Sequence, residues 1–402
     1  MMKIAKMRNI LLSASTAILL SACGGGGGGG SESSTPTPTP TPTVTTATDY
    51  STYQWATNSN IDATFKTDYS IDSNAHINIE ATWSNNNRKG QYKVGANLGQ
   101  AVKVAVIDED FEITHPDIKD KIISTYNASD TSTTNIADVD GDTYYHGLAV
   151  AGFIASTYLG VAPEVELILI NINLDASIPD ADIIRAFDHA QAQGAKVVNC
   201  SWGGSALSST LQNKISDLKT AGITVVFSSG NGNTSGTALN LDSAGNEDPS
   251  ELTTVLGVGA TSVLNDVTTY SNYGSTIDVL APGGGGKNGG NNLLGILGLD
   301  ATGNAGENNA SDTISGNSLV NNNYTFTAGT SFSAPITSGV IALMLSVNPN
   351  LTPDDIRRIL TTTTEKVGTG SGADYSVGNF DTTRAYGKIN ATNAVNQASS
   401  EY

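Results

Sequence analysis

Gly329-Thr330-Ser331-Phe332-Ser333-Ala334-Pro335 places a serine at the mouth of the apolar run SAPITSGVIALMLSV, two residues after a glycine. The pattern predicts a helix with Ser331 in its first turn. There the backbone N–H groups lack intrahelical partners and the helix dipole favours negative charge. A hydroxyl in that position suits a nucleophile whose attack creates an oxyanion. The competing reading is an N-cap serine behind a tight turn. A serine nucleophile needs a base, and the base needs a carboxylate to hold its tautomer. His146 opens the small-residue run His146–Gly152, and Asp108 closes the continuous apolar run Ala101–Ile107. Acyl transfer to Ser331, with His146 carrying the proton and Asp108 orienting His146, is the chemistry this set of residue types could perform.

Such a set works only if the fold brings its members together. Apolar runs near residues 101–107, 165–172, 195–200, 224–228, 254–260 and 276–280 read as buried strands, and helical patterns alternate with them. The clearest helices span 181–193, closed by Gly194, and 207–221, closed by Gly222. Alternation of this kind predicts an α/β fold with a mostly parallel central sheet flanked by helices. Parallel sheets of this class bind ligands outside the carboxyl ends of their strands. Asp108, the turn Ser201-Trp202-Gly203 and Asn231 all fall just past predicted strand ends.

With Asp108, His146 and Ser331 in that chain order, residues from about 90 to 396 resemble the subtilase family of subtilisin-like serine peptidases. His115-Pro116-Asp117, Gly160-Val161-Ala162-Pro163, Val197-Val198-Asn199-Cys200-Ser201-Trp202-Gly203 and Ser228-Ser229-Gly230-Asn231 also match family segments. The resemblance implies the three-layer subtilisin-like fold, polypeptide substrates and no cofactor for the chemistry itself. It implies Asn231 as oxyanion-hole donor, and a specificity pocket walled by Ser201, Trp202, Gly203, Ser228, Ser229 and Gly230. It further sets Glu247, beside Asp248 and Pro249, near the pocket floor, where a carboxylate would favour a Lys or Arg side chain. The alternative is that both carboxylates face solvent.

Asp117 corresponds to a family calcium ligand, but the loop supplying the other ligands is reduced to Ser156-Thr157-Tyr158-Leu159, so no metal site follows firmly. Asp138-Val139-Asp140-Gly141-Asp142 lacks the glycine spacing of an EF-hand and reads as a solvated acidic loop. The Gly/Asn-rich stretch between Pro282 and Phe326 reads as a mobile loop beside the cleft. A folded inhibitory prodomain is not expected between the tether and the Asp108 strand. An inactive, peptide-binding lipoprotein that keeps the fold is the alternative function, and the intact Asp108, His146, Ser331 and Asn231 argue against it.

The first 22 residues have the form of a secretory signal: Lys3, Lys6 and Arg8 precede an apolar stretch ending in Leu20-Ser21-Ala22-Cys23. This resembles a bacterial lipobox, in which Cys23 is lipidated. Residues 23–49 then form a tether, flexible through Gly24–Gly30 and stiffer through the Thr-Pro alternation. It reaches at most roughly 90 Å. The peptidase domain is expected over 50–402, held to a bacterial envelope membrane, with the outer membrane the expected location. A net charge of −18, from 38 acidic and 20 basic residues, argues against a nucleic-acid partner. Replacing Cys23 by Ser should release the protein from membranes, because stable residence needs acyl chains. Mass spectrometry of the wild type checks this: an unmodified N-terminus at or after Cys23 would contradict lipidation.

Overall fold

The computed structural model of the chain describes residues 47, 49–86, 91–94, 97–137, 144–174, 177–233, 235–285, 294–303, 305–307, 313–314, 317–318, 323–368 and 372–401. The signal, most of the tether and Asp138–Asp142 lie outside the described residues. Seven strands form the central sheet: β1 (Lys103–Asp108), β2 (Ile122–Asn127), β3 (Glu166–Asn171), β4 (Val197–Cys200), β5 (Thr224–Ser228), β6 (Leu256–Thr261) and β7 (Val279–Pro282). Every pairing is parallel, in the order β2-β3-β1-β4-β5-β6-β7.

The strands are apolar throughout because both sheet faces are covered. Successive residues of β1 alternate between two cores: Val104 and Val106 enter one, Ala105 and Ile107 the other. Helices α1 (His146–Ala155) and α4 (Thr330–Val347) fill the first face, and α2 (Asp180–Ala192) and α3 (Ser209–Thr220) cover the second. Gly194 and Gly222 end α2 and α3 at φ 81° and 76°, the left-handed conformation that a Cβ disfavours. Helix α4 is apolar and long enough to cross a membrane, yet it is almost wholly buried within the protein. It is a core helix.

Three features differ from the sequence expectations. Strand β2 carries no strong apolar signal, because it is an edge strand with mostly half-exposed side chains. Residues 283–326 are not simply a loop: Ile296–Leu299 pairs antiparallel with Tyr324–Thr327, and Ile296, Leu297 and Leu299 are buried in the core. The core also extends upstream of residue 90. Trp55 and Phe65 are buried in the same cluster as Val104 and Phe332, and the Trp55 indole donates to the Gly295 carbonyl at 2.8 Å.

This upstream segment is tied to the far end of the chain as well, since Ala391 N–H donates to Ile77 C=O at 2.8 Å. Trp55→Ala should therefore cost about 3–5 kcal/mol, as large-to-small core changes do. Denaturant unfolding should show one transition at a lower midpoint. A separate early transition, with the main one unmoved, would mean that this segment folds apart.

Candidate active site

The strand order changes side at β1, which lies between β3 and β4. The crevice above the carboxyl ends of β1 and β4 is the topological switch point. Asp108 is the last residue of β1, and Ser201 follows β4 directly. Beyond β1 the chain turns through Glu109 and Asp110, the latter at φ 58°, a conformation Asp tolerates better than most side chains. The turn then receives the start of α1: Gly147 N–H donates to Glu109 C=O at 2.7 Å, and Leu148 N–H to Asp110 C=O at 3.2 Å. Otherwise unpartnered donors of α1 are thereby satisfied by the strand end.

The result is a 2.7 Å contact between His146 Nδ1 and Asp108 Oδ1. Asp108 is fully buried, and the His146 side chain is 13% exposed. The Glu109 backbone N–H also donates to Asp108 Oδ1, at 2.9 Å. A proton on Nδ1 directed at the carboxylate leaves the Nε2 lone pair to act as base. The Tyr144 and Phe332 rings flank the imidazole with centroids 5.7 and 5.6 Å away.

Ser331 sits in the first turn of α4. Pro335 has no N–H, so the usual bond back to the Ser331 carbonyl cannot form. Ser201 Oγ donates to that carbonyl instead, at 2.7 Å. Ser201 is itself held by Asn199 Nδ2 at 2.9 Å, and Asn199 Oδ1 accepts from Ser338 Oγ at 2.9 Å. The Ser331 hydroxyl donates to the Ser201 carbonyl at 3.3 Å, a long contact that leaves it available to a base. Sequence reasoning missed Asn199 and Ser338, although an asparagine within an apolar core strand was a visible signal.

Asn231 is oriented by its neighbour in space. Its Oδ1 accepts from the Thr330 backbone N–H at 2.8 Å and the Thr330 hydroxyl at 2.9 Å, which directs its NH₂ donors away from them. Asn231, His146, Ser331, Ser201, Trp202, Gly203, Ser228 and Gly230 all line one cleft of about 430 Å³. Two expected pocket residues do not. Ser229 is buried and donates to Asn272 C=O at 3.0 Å, facing away from the cleft. Glu247 is exposed and lines nothing.

The carboxylate that does reach the cleft is Asp248, because it caps the short helix Pro249–Glu251 and so turns inward. It is 5% exposed. Burial pushes its carboxyl up to about 6, against the hydrogen bonds it accepts. Cys200 is buried behind the site, and desolvation pushes its thiol well above the usual range.

Residues 99–387 match the Subtilase family. The chain is 30% identical over 344 residues to a probable subtilase-type serine protease of Deinococcus radiodurans, covering 80% of this chain and 42% of that protein. It is 27% identical over 354 residues to a calcium-dependent protease of Trichormus variabilis, covering 81% and 49%. The serine protease of Aeromonas sobria superposes with a TM-score of 0.66 at 23% identity, covering 81% of this chain and 63% of that one. The chain belongs to the subtilase family, and it spans about half the length of these curated relatives.

Asp117 does not fit a calcium site as it stands. Its Oδ1 accepts from Ser156 Oγ at 2.7 Å and its Oδ2 from Tyr324 OH at 2.6 Å. His115 packs beside it, and burial lowers the imidazole's basicity. Among the described residues no group of three or more His, Cys, Asp or Glu side chains is placed to hold a metal ion.

The joint between β1 and α1 has no slack at Gly147. A Cβ there would lie 2.4 Å from the Glu109 carbonyl and 2.7 Å from the Phe111 ring. Gly147→Ala should push α1 off the strand end and lower kcat by at least about 10²-fold, the usual cost of an ångström of misplacement. Steady-state kinetics on folded variant protein checks this, and unchanged kcat would show that the joint does not set the Asp108–His146 geometry.

Proposed function

We propose that this chain is a serine endopeptidase that cuts polypeptides through an acyl-enzyme. Ser331 Oγ attacks the scissile carbonyl carbon as its proton passes to His146 Nε2. Asp108 stabilises the imidazolium across the 2.7 Å contact. The oxyanion is received by Asn231 Nδ2 and the Ser331 backbone N–H, donors aimed where charge develops. His146 then protonates the departing amine. In the second half, water gives its proton to His146 as its oxygen bonds to the acyl carbon; the acyl carbon–Ser331 Oγ bond then breaks, the acid product leaves, and His146 returns the proton to Ser331 Oγ.

One observation carries most of the weight. An Asp–His hydrogen bond between residues 38 apart opens on the same cleft as a helix-mouth serine and an oriented asparagine amide. An inactive peptide-binding protein would have no need of that combination.

We infer further that the domain acts while tethered to a bacterial envelope membrane through lipidated Cys23. The lipobox-like Leu20-Ser21-Ala22-Cys23 and the Gly and Thr-Pro tether support this. Polypeptides within the tether's reach are then its substrates.

Ser331→Ala or His146→Ala should leave a folded protein with turnover lowered about 10⁶-fold, the magnitude known for subtilisin. Asn231→Ala should cost about 10²–10³-fold, again by comparison with subtilisin. Hydrolysis of a chromogenic peptide by purified protein checks both, and full activity in Ser331→Ala would refute the acyl-enzyme.

A further inference from the structure

The cleft has a charge pattern that the chemistry does not require. Two of its lining residues are buried carboxylates, Glu109 and Asp248, and none is Lys or Arg. Glu109 is engaged by the backbone, accepting from Leu174 N–H at 2.9 Å. Asp248 is the more telling. Its Oδ1 accepts from Ser250 N–H at 2.9 Å and Ser250 Oγ at 2.6 Å, and its Oδ2 accepts from Gly204 N–H at 2.7 Å. Those three donors leave room on Oδ2, since a carboxylate offers about four acceptor sites. No Lys, Arg or His ion pair to Asp248 is present among the described residues.

A buried carboxylate without a counter-cation is costly, and its three hydrogen bonds offset only part of that cost, as its raised titration shows. The wall facing it makes way for it: a Cβ at Gly203 would lie 2.5 Å from Asp248 Oδ2. Gly203 and Gly204 follow Ser201, which holds the Ser331 carbonyl. Ser331, Ser201, Gly203, Gly204 and Asp248 line the same cleft, so a peptide bound at Ser331 shares that cleft with the carboxylate.

We propose that Asp248 selects substrates with Lys or Arg immediately before the scissile bond, the incoming cation completing its unfilled ion pair. The preference rests on the peptidase reading above. Asp248, rather than Glu247, is the specificity residue, and its capping turn explains why: Asp248 accepts inward while Glu247 points to solvent. The charge that bears on it most directly, Glu251 on its own turn, is anionic, and Glu109, Tyr144 and His146 line the same cleft. The net charge of −18 draws cationic peptides toward the same site.

Matched peptides differing only in that residue test this on the purified chain. Arg and Lys peptides should exceed Leu and Phe peptides in kcat/KM by about ten-fold or more. Asp248→Asn should collapse that ratio, whereas Glu247→Gln should leave it unchanged; the ratio, not the absolute rate, is the readout. The ratio should also grow between pH 5 and pH 8 as the carboxylate ionises, since the titration of His146 divides out. Calorimetry with benzamidine and neutral benzamide gives a second measurement independent of turnover, and benzamidine should bind at least about ten-fold tighter. Equal or better cleavage after Leu or Phe, or equal binding of the two probes, would overturn the selectivity while leaving the peptidase intact. Failure to cut any of the peptides would overturn the peptidase reading instead, and the two probes would still report whether the cleft prefers a cation.

Discussion

The two hydrogen bonds that join the Glu109 and Asp110 carbonyls to the first N–H groups of α1 are the constraint on which the site depends. They cap a helix with the end of a strand, so the distance between Asp108 and His146 is set by backbone rather than by flexible side chains. Fixed donors and acceptors cost little reorganisation at the moment of reaction, which is where electrostatic catalysis gains most. Asp110 at φ 58° and Gly147 pressed against Glu109 and Phe111 are the local concessions that make this joint possible.

A second joint mirrors the first on the other side of the cleft. Pro335 removes one backbone donor from α4, and the carbonyl it leaves open is what lets Ser201 couple the end of β4 to the helix that carries Ser331. Asn199 and Ser338 complete that chain of bonds inside an otherwise apolar layer. Thr330 plays the corresponding part for Asn231, holding its carbonyl oxygen so that the donors face outward. Satisfied buried networks of this kind rigidify a site and specify a single arrangement. Ser331, His146 and Asn231, the proposed nucleophile, base and oxyanion donor, thus rest on α4, on α1 and beyond the end of β5, and all three open on one cleft.

Much of this was legible in the sequence because it obeys simple rules. The strands announced themselves as apolar runs, since a parallel sheet covered on both faces needs no polar alternation. Asp108 ends its strand, and Ser201 and Asn231 follow theirs, at the carboxyl ends where open α/β sheets bind ligands. What escaped depended on tertiary context. Strand β2 lies at a half-exposed edge, and the hairpin around Leu297 is buried only because Gln54, Trp55 and Phe153 come to meet it. Glu247 is exposed and Asp248 lines the cleft for a more local reason. Asp248-Pro249-Ser250-Glu251 is a capping box written in the sequence, and a capping aspartate turns inward while its predecessor does not.

In the mechanism proposed above, His146, held by Asp108, activates Ser331 as a covalent nucleophile. The most direct test is to react the purified protein with a fluorophosphonate and locate the adduct by peptide mass spectrometry, in wild type and in His146→Ala. Stoichiometric modification of Ser331 is expected in the wild type, and a rate reduced by orders of magnitude in the variant. An adduct on another residue, or labelling of Ser331 at the same rate without His146, would contradict that mechanism.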